Sequence, residues 1–163
     1  MNQDQDTITK SLENQKKFKY MKEALKEAQK AFDKREVPVG AVVVYKDQII
    51  ARAHNLRESN QHFHSHAEFL AMMEASKKIG SWRLEDCDVY VTLEPCPMCA
   101  GAMIQSRIRK VYYAAKDPKA GATESLIQLF DIKFNHHVAC EGGILENESK
   151  VLLKTFFKTL RNK

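Results

Sequence analysis

Two short stretches of this sequence carry the side chains best suited to chemistry. His66 and Glu68 lie in the first, and Cys96 and Cys99 lie in the second, Pro-Cys-Pro-Met-Cys at residues 95–99. One imidazole and two thiolates form a mixed nitrogen and sulfur ligand set that suits Zn²⁺. Three protein ligands leave one coordination position open, which is typical of catalytic rather than structural zinc sites. The two stretches therefore predict a single zinc ion that takes part in a reaction.

Glu68 is predicted to transfer protons beside that metal ion. A carboxylate that lies near a zinc site without being a ligand can accept a proton from water and deliver it to a substrate. The combination of His-x-Glu with Pro-Cys-x-x-Cys is the signature of zinc nucleobase deaminases. Either half alone is a weak signal, but the two together predict hydrolytic deamination of a base.

The other two cysteines are weaker ligand candidates. Cys87 lies nine residues before Cys96 along a predicted strand, and at about 3.3 Å per residue the two are up to about 30 Å apart. The spacing does not decide the position of Cys140, which we expect to be buried as a small apolar residue. In a reducing compartment, a Cys-x-x-Cys pair indicates metal binding or redox chemistry before a structural disulfide.

Both reactive stretches are predicted to begin helices. Proline is favoured at the first helical position, so Pro97 predicts a helix with Cys96 at its N-cap. The free backbone N–H groups and the helix dipole at that end favour the thiolate that binds metal. A second helix, predicted over residues 67–78, places His66 and Glu68 at its start. The carboxyl ends of parallel strands and the starts of the following helices share one sheet edge, so the two stretches can meet there.

The remaining pattern predicts an α/β protein. Strands are predicted in the segments VPVGAVVVY, QIIARAHN, DVYVTLE, KVYYAA and HHVAC. Further helices are predicted over residues 18–32, in TESLIQLF and after Gly142-Gly143. This alternation indicates a sheet covered by helices on both faces. We expect residues 1–16 to form a loose, charged extension and residues 17–163 to form one domain.

Composition restricts the class of protein. The chain has 163 residues, of which 44% are hydrophobic and 29% charged, as in ordinary globular proteins. No apolar run approaches the roughly 20 residues of a membrane span, and the N-terminus lacks the apolar core of a secretory signal. We therefore expect a cytoplasmic protein without membrane contact. The net charge of +5 is compatible with a polyanionic partner but by itself favours solubility over nucleic-acid binding.

Several longer segments resemble one known family. REVPVGAVVV, AHN, HAE, TLEPCPMCAGAMIQSRI and KDPKAGATESL are similar to segments of the bacterial tRNA-specific adenosine deaminases, in the cytidine deaminase-like superfamily. The resemblance extends from about residue 18 to residue 161. It implies a three-layer α/β/α fold with a five-stranded mixed sheet, and a homodimer with one Zn²⁺ per subunit. The implied reaction converts the wobble adenosine in the anticodon stem-loop of an arginine tRNA to inosine and releases ammonia.

The same resemblance implies roles for residues outside the two reactive stretches. Asn55 would hydrogen-bond the flipped adenine, Val39 and Ala67 would line the base pocket, and Asp117 would lie beside the substrate strand. The aromatic and basic residues expected to contact RNA lie on the last helix: Phe156, Phe157, Lys158 and Arg161. Phe156 and Phe157 cannot both face the same side of that helix, so one is expected in the core.

Two other functions remain open at this point. A deaminase of a free base or nucleoside, of the guanine or cytosine type, would use the same zinc site, and the basic last helix favours a polynucleotide over it. A zinc-stabilised RNA-binding module would need no catalytic carboxylate. Glu68 and the set of three ligands favour an enzyme over that module.

Overall fold

A five-stranded mixed sheet forms the centre of the computed structural model, which describes residues 2–162. Its strands are β1 (Gly40–Tyr45), β2 (Gln48–His54), β3 (Cys87–Leu93), β4 (Lys110–Ala115) and β5 (Ala139–Glu141). The strand order is β2-β1-β3-β4-β5. β1 is antiparallel to both of its neighbours, whereas β3, β4 and β5 are parallel.

Helices cover both faces of this sheet. They are α1 (Gln3–Asp33), α2 (Arg57–Asn60), α3 (Ala67–Ile79), α4 (Pro97–Gln105) and α5 (Glu146–Arg161). α1 and α5 pack on one face, and α3 and α4 pack on the other. The predicted three-layer α/β/α fold with a five-stranded mixed sheet is therefore confirmed. In the described part of the chain, no helix is both long and apolar enough to cross a membrane.

Each face of the sheet has its own apolar core. Val43 and Val91 contribute to the core under α3 and α4, and Val42 and Tyr90 contribute to the core under α1. β1 is buried along almost its whole length, as its unbroken run of apolar and mostly β-branched residues predicts. The burial of these central strands fixes their register, because a slip of one residue would exchange the two cores.

Strand direction brings the two reactive stretches to one edge of the sheet. Because β1 is antiparallel to both β2 and β3, these two strands run in the same direction. β2 ends at His54 and β3 ends at Leu93, so the helices that follow them begin at the same edge. α3 starts at Ala67 and α4 starts at Pro97, each immediately after a predicted metal ligand.

The N-terminal segment differs from the expectation of a loose extension. Residues 3–16 belong to α1, although their side chains are exposed, and Met1 lies outside the described residues. The first 33 residues contain neither glycine nor proline, so nothing interrupts a helix that starts in the packed region near Tyr20 and extends outward. The proposal that residues 17–163 form one domain stays a prediction.

The prediction of a helix in TESLIQLF is wrong. Residues 123–125 form a turn, residues 126–128 are not helical, and a 3₁₀ turn follows at Leu129–Asp131. Leu126 and Ile127 are exposed, so no buried apolar face stabilises a helix there. The fifth strand exists but begins at Ala139, three residues later than the segment HHVAC predicts.

Candidate active site

Three predicted metal ligands meet at the starts of α3 and α4. His66 is the N-cap of α3, Cys96 is the N-cap of α4, and Cys99 lies in the first turn of α4 behind Pro97. Nδ1 of His66 lies 3.5 Å from Sγ of Cys96 and 3.5 Å from Sγ of Cys99. The three ligand atoms all lie within 4.8 Å of one another. His66 and Cys99 are 33 positions apart in the sequence, yet both belong to one compact donor set.

The donor set fits a metal ion of the size of zinc. Tetrahedral Zn²⁺ with bonds of about 2.1 Å to nitrogen and about 2.3 Å to sulfur separates these ligands by about 3.6 Å. The observed separation of 3.5 Å agrees with that value. Within residues 2–162, no other group of three His, Cys, Asp or Glu side chains has comparable spacing, so neither Cys87 nor Cys140 joins the cluster.

The ligands also influence one another's protonation. A hydrogen bond with Cys99 outweighs burial and, together with His66, lowers the pKa of the Cys96 thiol to about 4. The contact with Cys96 and burial raise the pKa of Cys99 far above its usual range. The hydrogen bond with Cys96 likewise outweighs burial and raises the pKa of His66. A metal ion must therefore displace the proton of Cys99 when it binds.

Glu68 lies in the first turn of α3, next to the cluster but outside its donor set. Its side chain is buried, and this burial raises its pKa to about 7 despite the opposing effects of the backbone and His66. A carboxyl group that titrates near neutral pH can both accept and release a proton. The position and the protonation of Glu68 therefore suit a general acid–base role.

A cavity of about 200 Å³ opens beside the cluster. His66, Glu68 and Cys96 are among the residues that line it. All four residues expected to contact the substrate line the same cavity: Val39, Asn55, Ala67 and Asp117. The structure thus gathers residues from five separate chain segments around one small pocket, of a size that suits a single base better than a large ligand.

Comparison with known proteins assigns the family. The family model for MafB19-like deaminases matches residues 15–161. A tRNA-specific adenosine deaminase of Bacillus subtilis (strain 168) is 54% identical over 145 residues, which are 88% of this chain and 90% of that protein. The chain belongs to the tRNA-specific adenosine deaminase family. The prediction of a deaminase is confirmed by this relationship.

Solved structures agree with this assignment of the chain to a deaminase family. A structure from work on A-to-I editing by tRNA:A34 deaminases at the wobble position matches with a TM-score of 0.80 and 42% identity, and covers 82% of this chain and 98% of that one. A guanine deaminase from Nitrosomonas europaea matches with a TM-score of 0.69 but only 22% identity, over 84% of this chain and 82% of that one. The second likeness shows a shared fold alone.

The side-chain amide of Asn55 is held on both sides. Its Nδ2 donates to the carbonyl of Val37 at 3.2 Å, and its Oδ1 accepts from the backbone N–H of Arg57 at 3.1 Å. Asn55 itself is buried at the end of β2. The amide is therefore oriented before any substrate enters, which limits the ordering cost of binding.

Asp117 lines the cavity and also orders the turn next to it. Its carboxylate Oδ1 accepts hydrogen bonds from the backbone N–H groups of Lys119 and Ala120, at 3.1 and 3.2 Å. Asp117 and Ala120 both line the cavity. The side chain thus shapes the turn beside the pocket as well as facing it.

Two buried carboxylates near the pocket were not among the predicted site residues. Glu94 follows β3 and accepts hydrogen bonds from the loop that carries Asp117. Glu36 accepts backbone hydrogen bonds from Glu58 at 3.1 Å and Ser59 at 2.6 Å, at the start of α2. Both glutamates adjoin apolar strand segments, VPVGAVVV and VYVTL. A charge next to a buried strand is the signal that could have identified them.

The residues expected to contact RNA lie on α5, away from the cavity lining. Phe156 is 5% exposed, and its ring centroid lies 6.0 Å from that of Phe32 in an edge-to-face contact. Phe157 is 44% exposed, and Lys158 and Arg161 are also exposed. Of the two phenylalanines, only Phe157 is therefore available to a partner.

Proposed function

We propose that this enzyme is a zinc-dependent tRNA deaminase that converts the wobble adenosine of an anticodon, in an arginine tRNA, to inosine and ammonia. One observation carries the proposal: Glu68, Asn55 and two members of the donor set, His66 and Cys96, line one base-sized cavity. The 54% identity to a tRNA-specific adenosine deaminase supports the choice of substrate. A cytoplasmic location follows from this substrate as part of the proposal.

Glu68 performs the proton transfers in the proposed reaction. Zinc bound by His66, Cys96 and Cys99 would act as a Lewis acid that lowers the pKa of water toward about 7. Glu68 accepts a proton from the attacking water, whose oxygen forms the new bond to C6 of adenine. The carboxylic acid then protonates N1 and, after a second proton leaves the oxygen, the departing amine. The sum is adenosine plus water giving inosine plus ammonia.

The walls of the cavity orient the base. The Asn55 amide offers a donor and an acceptor at the pocket, and Val39 and Ala67 supply apolar contacts to the purine ring. C6 is inaccessible in a stacked helix, so the nucleotide must turn out of its stack before it reacts. An unpaired anticodon loop makes that movement less costly, because its bases are only partly stacked.

The basic residues of α5 provide a surface for the phosphate backbone. Lys158 and Arg161 are exposed in its last turns, and Phe157 presents an aromatic ring on the same helix. Cationic side chains neutralise phosphates, and aromatic rings stack on unpaired bases. We assign these three residues to tRNA contact, and Phe156 to the core.

A homodimer is also part of the proposal. α3 and α4 form an apolar concavity lined by residues that include Met72, Met73, Trp82 and Met98. Met73 is 44% exposed and Trp82 is 56% exposed. Large apolar patches of this kind typically mark protein–protein contacts. Sedimentation of the wild type and of Met73→Asp tests this: the wild type is expected as a dimer and the variant as a monomer.

Inosine mapping tests the reaction. Zinc-loaded protein is incubated with total tRNA, and adenosine-to-inosine changes are located by sequencing; free guanine and cytidine are assayed beside it for ammonia release. We expect inosine at the first anticodon position and negligible turnover of the free compounds. The Glu68→Gln variant is the control, with activity reduced by roughly 10²- to 10⁴-fold and zinc retained. Rapid turnover of guanine or cytidine without inosine in tRNA would contradict the proposal.

A further inference from the structure

We propose that Glu94 is a positioning residue: it fixes the loop of residues 117–125 (the 117–125 loop) against the pocket and so sets the affinity for the substrate strand. The inference rests on the proposed function for the identity of the substrate. It assigns a role to a side chain that neither holds the metal nor moves protons. Glu94 lines the cavity and is 2% exposed.

The carboxylate of Glu94 is saturated by donors from one loop. Oε1 accepts from the backbone N–H of Asp117 at 3.1 Å and from the hydroxyl of Ser125. Oε2 accepts from the backbone N–H groups of Thr123, Glu124 and Ser125 at 3.2, 2.9 and 2.9 Å, and from the Thr123 hydroxyl at 3.2 Å. Hydrogen bonds to an ionised carboxylate are among the stronger ones in proteins. A single side chain therefore holds both ends of the loop.

Gly121 shows how closely the loop encloses this carboxylate. A Cβ atom added at Gly121 would clash with the carboxylate carbon and both carboxylate oxygens of Glu94. The end of a glutamate side chain can usually move aside, but this one is held by six hydrogen bonds. Glycine at this position is therefore a requirement of the close approach between the loop and Glu94.

The anchored loop forms one wall of the pocket. Asp117 and Ala120 line the cavity, and the Asp117 carboxylate orders the turn between them. A further tie joins the backbone N–H of Ala122 to the carbonyl of Pro95 at 2.8 Å. Glu94 and Pro95 immediately precede Cys96. The loop is therefore attached to the same end of β3 that leads into the proposed metal site. Displacement of the loop would thus shift Asp117 relative to the reacting centre.

Only an acceptor-only group can satisfy all these donors. In Glu94→Gln, the amide oxygen can replace Oε2 and keep the three N–H groups of residues 123–125. The amide NH₂ then faces the N–H of Asp117, donor against donor, while the Ser125 hydroxyl can reverse its role. The substitution is nearly isosteric, so it should release the Asp117 end of the loop selectively.

Amide hydrogen exchange and kinetics on the zinc-loaded enzyme test the inference. In Glu94→Gln we expect faster exchange at Asp117 than in the wild type, with a smaller change at residues 123–125. With an anticodon stem-loop, we expect KM to rise by roughly tenfold while kcat and zinc content change little. Thr92→Val is the matched control. Thr92 lies on β3, two residues before Glu94, and its buried hydroxyl oxygen accepts a hydrogen bond from the backbone N–H of Gly40 at 3.1 Å. The variant loses this bond but should leave KM and the exchange of the 117–125 loop unchanged.

A double variant separates positioning from a general loss of stability. If Glu94 acts through Asp117, Glu94→Gln should raise KM in the wild-type background but add little in the Asp117→Ala background. Should Glu94→Gln not fold, Gly121→Ala displaces the same carboxylate from the loop side and should give the same kinetic pattern. Unchanged exchange at Asp117, or equal KM effects in both backgrounds, would overturn the inference. Loop exchange is measured without substrate, so an error in the assigned reaction would leave this result intact.

Discussion

The backbone N–H of Asn55 donates to the carbonyl of Val39 at 3.0 Å. This bond joins the end of β2 to the residue before β1 and places two predicted substrate contacts side by side. Because Val39 and Asn55 belong to adjacent antiparallel strand ends, the register of the sheet sets their spacing. The cavity is thus built from the end of the sheet on this side and from the loop that carries Asp117 on the other.

Asn55→Asp should reduce kcat/KM for an anticodon stem-loop by roughly a hundredfold, or about 2.8 kcal/mol of transition-state stabilisation. Aspartate keeps the acceptor for the Arg57 N–H but loses the amide donors, one of which bonds Val37. Single-turnover deamination measures the effect. Asn55→Ala loses both the donor and the acceptor, so its kcat/KM should be at least as low. Wild-type rates in Asn55→Asp would exclude the amide as a contact to the base.

Removing one sulfur ligand should abolish stable metal binding. Cys99→Ser is expected to lower bound zinc well below one ion per chain, because a hydroxyl is a poor ligand for Zn²⁺. Cys140→Ala is the matched control, since Cys140 lies outside the donor cluster. Added zinc should raise the melting temperature of the wild type and the control but not of Cys99→Ser. Equal zinc content in all three proteins would contradict the assigned ligands.

Glu36 should stabilise the fold in a manner that depends on pH. Burial raises its pKa, but hydrogen bonds from Ser59 and Glu58 outweigh burial, so the pKa lies below the usual value of 4.5. A folded-state pKa below the unfolded one means that the stabilisation is complete above about pH 4.5 and is lost as pH falls through the folded pKa. Glu36→Gln should therefore lower the free energy of unfolding by about 1–3 kcal/mol at pH 7, and by much less at a pH below the folded-state pKa of Glu36.

Urea unfolding of the metal-free proteins at several pH values checks this prediction. The wild type and Glu36→Gln are compared with Glu74→Gln, which alters an exposed carboxylate on α3. The gap in unfolding free energy between the wild type and Glu36→Gln should narrow as the buffer is acidified, whereas Glu74→Gln should follow the wild type throughout. A gap that widens in acid would mean that Glu36 is not held ionised by its backbone donors.

Alanine substitutions at Phe156 and Phe157 should have separate effects, the first on stability and the second on tRNA binding. Phe156→Ala removes a buried ring that contacts Phe32 and is expected to cost about 3–5 kcal/mol of stability. Phe157→Ala removes an exposed ring and should change stability little but weaken tRNA affinity by about 1–3 kcal/mol if the ring stacks on a base. Thermal unfolding and filter binding measure the two effects. Unchanged tRNA affinity in Phe157→Ala would remove this residue from the proposed RNA surface.

Local sequence information was sufficient for most of the fold. The two strands on either side of the turn at Lys46 and Asp47 follow from apolar runs separated by polar turn residues. The start of α4 follows from the preference of proline for the first helical position, which depends on neighbouring residues only. Where packing instead determines the conformation, as in TESLIQLF, local propensity predicted a helix that the structure does not contain.

The sequence by itself determined the chemistry expected of the predicted metal site, because each of the two short stretches contains both the ligand types and the start of a helix. Tertiary structure decided which distant groups complete the pocket. The partners of Glu94 lie 23 to 31 residues further along the chain, and those of Glu36 lie 22 and 23 residues further along. A buried carboxylate is stable only where such donors converge, and no local pattern of side chains specifies that convergence.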